Sequence, residues 1–265
     1  MSLNKLGLFA LVCSGFAAAQ NGPGSPAALA PQTTLPIAFT KTIDASHART
    51  GDPVIARTLQ VVRLANGQEV KAGAQVLGHV AEAQPLVFDH TPYAKQKQSV
   101  LMVQFDSLVP PDREKVPLHV YLRAMADTFV TTGAYEPRPS DEDPLHSTTQ
   151  VGGDILTPSQ NEIVNRDGDV VGYNKRGGAY AHLIANTGAG AARCDESNTE
   201  QAMANFSASA CGLYGFRDMA LTSSDVGSNS SSFTLVSNRR SPEIYRGSTA
   251  LLEVVSITSM ASVSR

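Results

Sequence analysis

The side chains best suited to acid–base work or metal ligation are six histidines: His47, His79, His90, His119, His146 and His182. None forms a His-x-x-x-His or His-Glu-x-x-His spacing, so no metal site carried on one helix face can be read. His79 and His119 fall on expected strands and could meet across a sheet, but two half-exposed strand histidines are the plainer reading. Asn165-Arg166-Asp167-Gly168-Asp169 alternates oxygen donors as a calcium loop does, yet lacks the glycine and the bidentate glutamate such loops require. Lying between Ile163-Val164 and Val170-Val171, its Asp167-Gly168 pair predicts a hairpin turn instead. A strained Gly-x-Ser-x-Gly elbow is absent, and Gly188-Ala189-Gly190 lacks the third glycine of a dinucleotide loop. Asp141, Glu142 and Asp143 sit among prolines and read as a solvated acidic cluster, and Lys175-Arg176-Gly177-Gly178 reads as a basic surface turn. The sequence therefore assigns no catalytic, cofactor-binding or metal-ligating residue. A hydrolase site would have to be assembled from distant loops, with His119, His182 and Asp154 as its candidates.

The elements that would position these residues are mainly strands. Ile37 to Ile43 and Val54 to Val62 are apolar, β-branched runs parted by the turn Gly51-Asp52-Pro53. Asn66-Gly67 predicts a hairpin turn, with Ala74 to Ala83 returning as the partner strand. Val100 to Leu108 follows, and after it Val116, Leu118, Val120, Leu122 and Ala124 alternate with Pro117, His119, Tyr121 and Arg123. That period of two belongs to a strand, not a helix. Weaker strands are expected at Ala179 to Ala185 and Leu213 to Leu221, and clearer ones at Ser232 to Val236 and Ala250 to Thr258. The fold class is thus mainly β: a small antiparallel barrel or sandwich with a long irregular insertion and one short helix. We divide the chain into a leader at 1–19, a disordered linker at 20–34, a β core at 35–126, a polar Pro-rich insertion at 127–178, and further strands completing the core at 179–265.

The amino terminus has the form of a cleavable export signal. Lys5 supplies the positive charge, Leu6 to Phe16 the apolar stretch, and Ala17-Ala18-Ala19 the small residues before the cut. Asn21-Gly22-Pro23-Gly24-Ser25-Pro26 would break any helix that continued. Val12 before Cys13 disfavours a lipid anchor. Cleavage would remove Lys5 and shift the formal charge from −3 to −4, and no later stretch would remain as a stable membrane span. The mature chain would keep Cys194 and Cys211, an even number suited to a disulfide in an oxidising compartment. Closing that loop contributes about 3 kcal/mol on a chain-entropy argument. Between the two cysteines, Ser197-Asn198-Thr199-Glu200 matches a capping box and predicts a short helix running to Phe206. The low charged fraction of 17% and the absence of Trp fit a β-rich protein of the periplasm or exterior. No basic block with interleaved aromatics points to nucleic acid.

Two segments carry a family resemblance. One is Gly51-Asp52-Pro53-Val54-Ile55-Ala56 with Gly67 and Lys71-Ala72-Gly73-Ala74-Gln75-Val76-Leu77-Gly78-His79-Val80; the other is Arg246-Gly247-Ser248-Thr249-Ala250-Leu251-Leu252-Glu253-Val254. Together they resemble the periplasmic β-barrel domain of TrbI-like conjugal-transfer channel proteins, and are similar to secreted bacterial proteins that carry such a barrel alone. The resemblance implies a barrel and a link to secretion or conjugation machinery. This chain departs from the pattern in having a leader in place of a membrane helix and in lacking the proline before Lys71. The residues themselves ask for permissive backbone at Gly73 and for a close strand approach or bend at Gly78. The expected function is a non-enzymatic, exported envelope protein with a structural or protein-interaction role and partners among envelope proteins. The alternative is a secreted hydrolase or carbohydrate-binding protein.

Overall fold

The computed structural model describes residues 28–92, 95–111, 114–135, 147–185, 194, 196–223 and 231–255. The leader, Asp141–Asp143, His146, Gly188–Gly190 and the serine-rich stretch at 224–230 lie outside them. In chain order the first strands are β1 (Thr34–Phe39), β2 (Ile43–Asp44), β3 (Pro53–Thr58), β4 (Val62–Arg63), β5 (Glu69–Val70), β6 (Gln75–Gln84), β7 (Ser99–Val109), β8 (Val116–Pro117) and β9 (Val120–Ala126). The helix α1 (Thr128–Tyr135) follows. Then come β10 (Thr148–Thr149), β11 (Ile155–Thr157), β12 (Glu162–Val164), β13 (Val170–Lys175), β14 (Gly178–Leu183) and β15 (Ser197–Ala202). The last are β16 (Gly212–Tyr214), β17 (Ala220–Ser223), β18 (Ser232–Ser237), β19 (Glu243–Ile244) and β20 (Thr249–Val254).

Nine strands make a nearly closed barrel in the order β16-β9-β20-β1-β3-β6-β7-β18-β17, with β8 paired to β7. Every pairing is antiparallel except β16 with β9. Alternate side chains point inward, as the pleat requires. Leu35, Ile37, Val76, Val80, Leu101, Val103, Leu235 and Leu252 fill the interior. Three rings cross it, with Phe39 and Phe105 at 6.5 Å between centroids and Phe105 and Phe233 at 5.9 Å. Gly78 also faces inward. A Cβ there would meet the Gln104 carbonyl oxygen at 2.2 Å, because the register slips between Leu77 and Gly78 and brings β7 close.

Six strands form a second antiparallel sheet, β10-β11-β12-β13-β14-β15. It packs against the outside of β9 and β20, which are therefore buried on both faces. Ala250 and Leu252 point into the barrel, while Ala124, Ala126 and Leu251 point out onto Ala181, Leu183, Met203 and Phe206. So the segment 127–178, expected to be irregular, carries α1 and four strands of this second layer. The reason is local: Ile155, Ile163, Val164, Val170 and Val171 are β-branched residues set between turn formers. The Asn165–Asp169 turn joins β12 to β13 as expected, with Asn165 Oδ1 accepting from the Asp167 and Asp169 N–H groups at 3.0 and 2.9 Å.

The helix is not where the capping pattern placed it. Residues Ser197–Ala202 form β15, paired to β14, and Ser197 Oγ accepts from Thr199 N–H at 3.2 Å as a local turn, not as a helix cap. Gln201 Oε1 in addition accepts from Thr34 N–H, and Ala204, at φ 52°, ends the run. Sheet partners outweigh a capping preference of about 1 kcal/mol. The single helix among the described residues is α1, capped by Asp127, whose Oδ1 accepts from Val130 N–H at 2.7 Å. Its four β-branched residues, Thr128, Val130, Thr131 and Thr132, hide it from a propensity reading. The start of the chain's described part also differs from expectation. Residues 28–33 are held in place, with Leu29 packed on the barrel core and Gln32 N–H donating to the Val254 carbonyl at 2.8 Å.

Cys194 and Cys211 are joined by a disulfide. The loop ending at Cys211 wraps over Arg123, which is 1% exposed. Arg123 Nη2 donates to the carbonyls of Ile184 at 2.7 Å and Ala208 at 3.3 Å, and Nε donates to that of Ala210 at 3.2 Å. Glu253, 4% exposed, lies 3.5 Å from Nη1 and accepts a short bond from the Tyr121 hydroxyl.

Candidate functional site

The residues a hydrolase would need are not brought together. His119 sits between β8 and β9 in a small cleft with Pro117 and Val254. His182 is exposed on β14 opposite Glu200. Asp154 is buried under the 204–211 loop, where its Oδ2 accepts from Ala208 N–H at 2.8 Å. Among the described residues no hydrogen bond, ion pair or common cleft links any two of these three. Nor do His79 and His119 meet: His79 Nδ1 lies 2.9 Å from Asp106 Oδ2, and His47 pairs with Asp44. Among the described residues no group of three or more His, Cys, Asp or Glu side chains is placed to hold a metal ion.

Burial pushes the Asp154 carboxyl above its ordinary value of 3.8, and the Ala208 N–H and the nearby Arg166 charge only partly offset it. The folded chain thus holds that proton more tightly than the unfolded one. Stability from this group is full below 3.8 and is lost as pH rises through the raised value. Asp154→Asn keeps an acceptor for Ala208 and removes the loss. Urea midpoints of the variant are therefore expected to rise relative to the parent between about pH 4 and pH 7. Parallel pH profiles for the two proteins would refute this.

Two larger clefts flank the second sheet. The first, about 660 Å³, lies between the β4–β5 hairpin and β13–β15. Of its cations, Arg63 and Lys175 pair with Glu69 at 3.1 Å and Glu200 at 2.6 Å, while Arg176 of the expected basic turn also lines the cleft.

The second cleft, about 650 Å³, lies between α1 and the outer strand β10. Phe129, 81% exposed, stands at its rim with Val130, and Tyr214 lies within it. Thr148 and Thr149 line the opposite wall, and Arg166 and the turn Gln150–Gly153 close it. Arg166 lies flat on that turn. Gly153 adopts φ 113°, a backbone that favours glycine, and a Cβ there would come within 2.6 Å of the Arg166 Nε. Arg166 forms no ion pair among the described residues, and Asp154 feels its charge at longer range. An exposed phenyl ring and a guanidinium without an ion pair on one cleft are an arrangement for contact with another molecule. The sequence had a signal for neither: Arg166 reads as a turn residue, and Phe129 stands in the stretch expected to be irregular.

No family model, curated protein or solved structure matches this chain. Among the described residues no helix is long and apolar enough to cross a membrane.

Proposed function

We propose that this chain is an exported, non-enzymatic β-domain protein of the cell envelope whose role is to engage another protein through the α1–β10 cleft. The observation that carries the reading is the pairing of Phe129 and Arg166 across one cleft, on a barrel whose interior is filled with its own side chains. A filled barrel leaves no internal ligand chamber and makes the outer surface the working surface. Export is supported by the leader-like pattern of Lys5 to Ala19 and by the disulfide, which suits an oxidising compartment. The resemblance to TrbI-like channel barrels supports a place near secretion or conjugation machinery.

A photo-crosslinking side chain placed at position 129 tests the interaction. In envelope preparations it is expected to give one defined adduct. The same group at exposed Lys71, in the turn between β5 and β6, serves as the control. Identical adduct patterns from the two positions, or none from position 129, would remove the reading. Turnover of a model ester or glycoside by the purified protein would replace it with an enzymatic one.

A further inference from the structure

Independently of the α1–β10 cleft, we infer that the loop joining β6 to β7 rests on an anionic lipid surface, with Val87 and Phe88 entering the interface and Lys95 and Lys97 meeting lipid phosphates. The loop is tied down at both ends. Leu86 N–H donates to Ser241 Oγ at 2.9 Å, and Ser99 Oγ donates to the carbonyls of Ser237 at 2.8 Å and Arg240 at 2.6 Å. Between these ties Lys95 N–H donates to the Pro92 carbonyl at 2.7 Å and Gln96 Nε2 to that of Thr91 at 3.2 Å, so the tip is a built turn. On this tip Val87 is 64% exposed and Phe88 78%.

Shape and charge select a bilayer over a protein. Val87 and Phe88 are consecutive and lie outside any helix, so their side chains diverge. Both stay exposed, which means that the segment stands clear of the barrel on both flanks. A projecting tip gives a protein face little to pack against, whereas lipid closes around it from every side. Lys95 and Lys97 line one small cleft of about 280 Å³ together with Val87, and neither forms an ion pair among the described residues. Asp89, the one carboxylate among the described residues of 85–98, accepts from Thr91 N–H at 2.8 Å, so the two lysines leave the tip net positive. Lysine is depleted at protein interfaces but drawn to anionic leaflets. Apolar side chains beside unpaired lysines are the chemistry of a segment held at a lipid interface.

The chain contains no tryptophan, so Phe88→Trp in the full chain gives a single reporter on the loop itself. On adding vesicles of equal parts phosphatidylglycerol and phosphatidylcholine, its emission is expected to shift to shorter wavelength and to be quenched by brominated acyl chains. Vesicles of phosphatidylcholine alone are expected to need at least about tenfold more lipid for the same shift. Lys95→Gln with Lys97→Gln, added to the reporter variant, is expected to weaken the titration by a similar factor while leaving the thermal transition in place. Tyr173→Trp, at a 49% exposed site on β13, is the control and is expected to give no quenching. An unshifted reporter at position 88, equal titrations with the two vesicles, no loss in the lysine variant, or equal quenching from position 173 would each overturn the inference. So would a shift produced by lipid-free envelope proteins and not by vesicles, which assigns the tip to a protein. The adduct at position 129 reports a protein and the tryptophan reports lipid, so either reading fails without the other.

Discussion

Arg123→Met is expected to destabilise the fold by about 3–5 kcal/mol, the cost of leaving a buried partner charge uncompensated. The guanidinium satisfies three carbonyls, those of Ile184, Ala208 and Ala210, and faces Glu253 at 3.5 Å. Methionine fills similar volume but donates nothing, so Glu253 loses the guanidinium beside it. A second substitution, Glu253→Leu, removes the stranded charge. The double variant is therefore expected to recover part of the loss, as replaced buried pairs do. Denaturant unfolding of the parent, the two single variants and the double variant measures the coupling. A single-variant loss under about 1 kcal/mol, the range of exposed pairs, would show that the pair is not buried as described.

Gly78→Ala is expected to cost about 2–3 kcal/mol, lowering Tm by roughly 5–10 °C for a domain of this size. The added methyl would sit 2.2 Å from a backbone oxygen of β7, and a carbonyl held in a ladder cannot swing away as a flexible side chain can. Gly133→Ala on α1 is the internal control. Its Cβ meets nothing within 4 Å, so the same chemical change should stabilise by about 1 kcal/mol through helix propensity. Opposite signs for one substitution at two sites separate close approach from chain entropy. If both variants shift Tm in the same direction, the tight β6–β7 contact is wrong.

How much of this was legible in the sequence follows from which forces act locally. Val76, Gly78 and Val80 read as one face of a strand, and they are one face of β6. Asn66-Gly67 and Asp167-Gly168 read as turns, and Gly67 and Gly168 do adopt φ 79° and 88°. Asn66-Gly67 itself joins only the short strands β4 and β5, while β6 pairs with β3 as the expected partner strand. Turn chemistry names a reversal but not the length of the strands beside it. Arg123 and Glu253 alternate with apolar neighbours and so read as facing water. They are buried because a second sheet covers the outside of β9 and β20, and period-two patterning does not report what lands on the polar face. The α1–β10 cleft was illegible for the same reason: Phe129, Thr148 and Arg166 are brought together by packing of distant segments.

The order of strands in the barrel also governs when it can shut. β20, the last strand among the described residues, lies between β1, the first of them, and β9. Until residues 249–254 have emerged, β1 and β9 each keep one unpaired edge, beside β3 and β16 on their other sides, and the wall stands open between them. A ribosome or a translocation pore delivers the amino-terminal end first, so the keystone arrives last. The facing edges of β1 and β9 are then the ones a chaperone would have to guard.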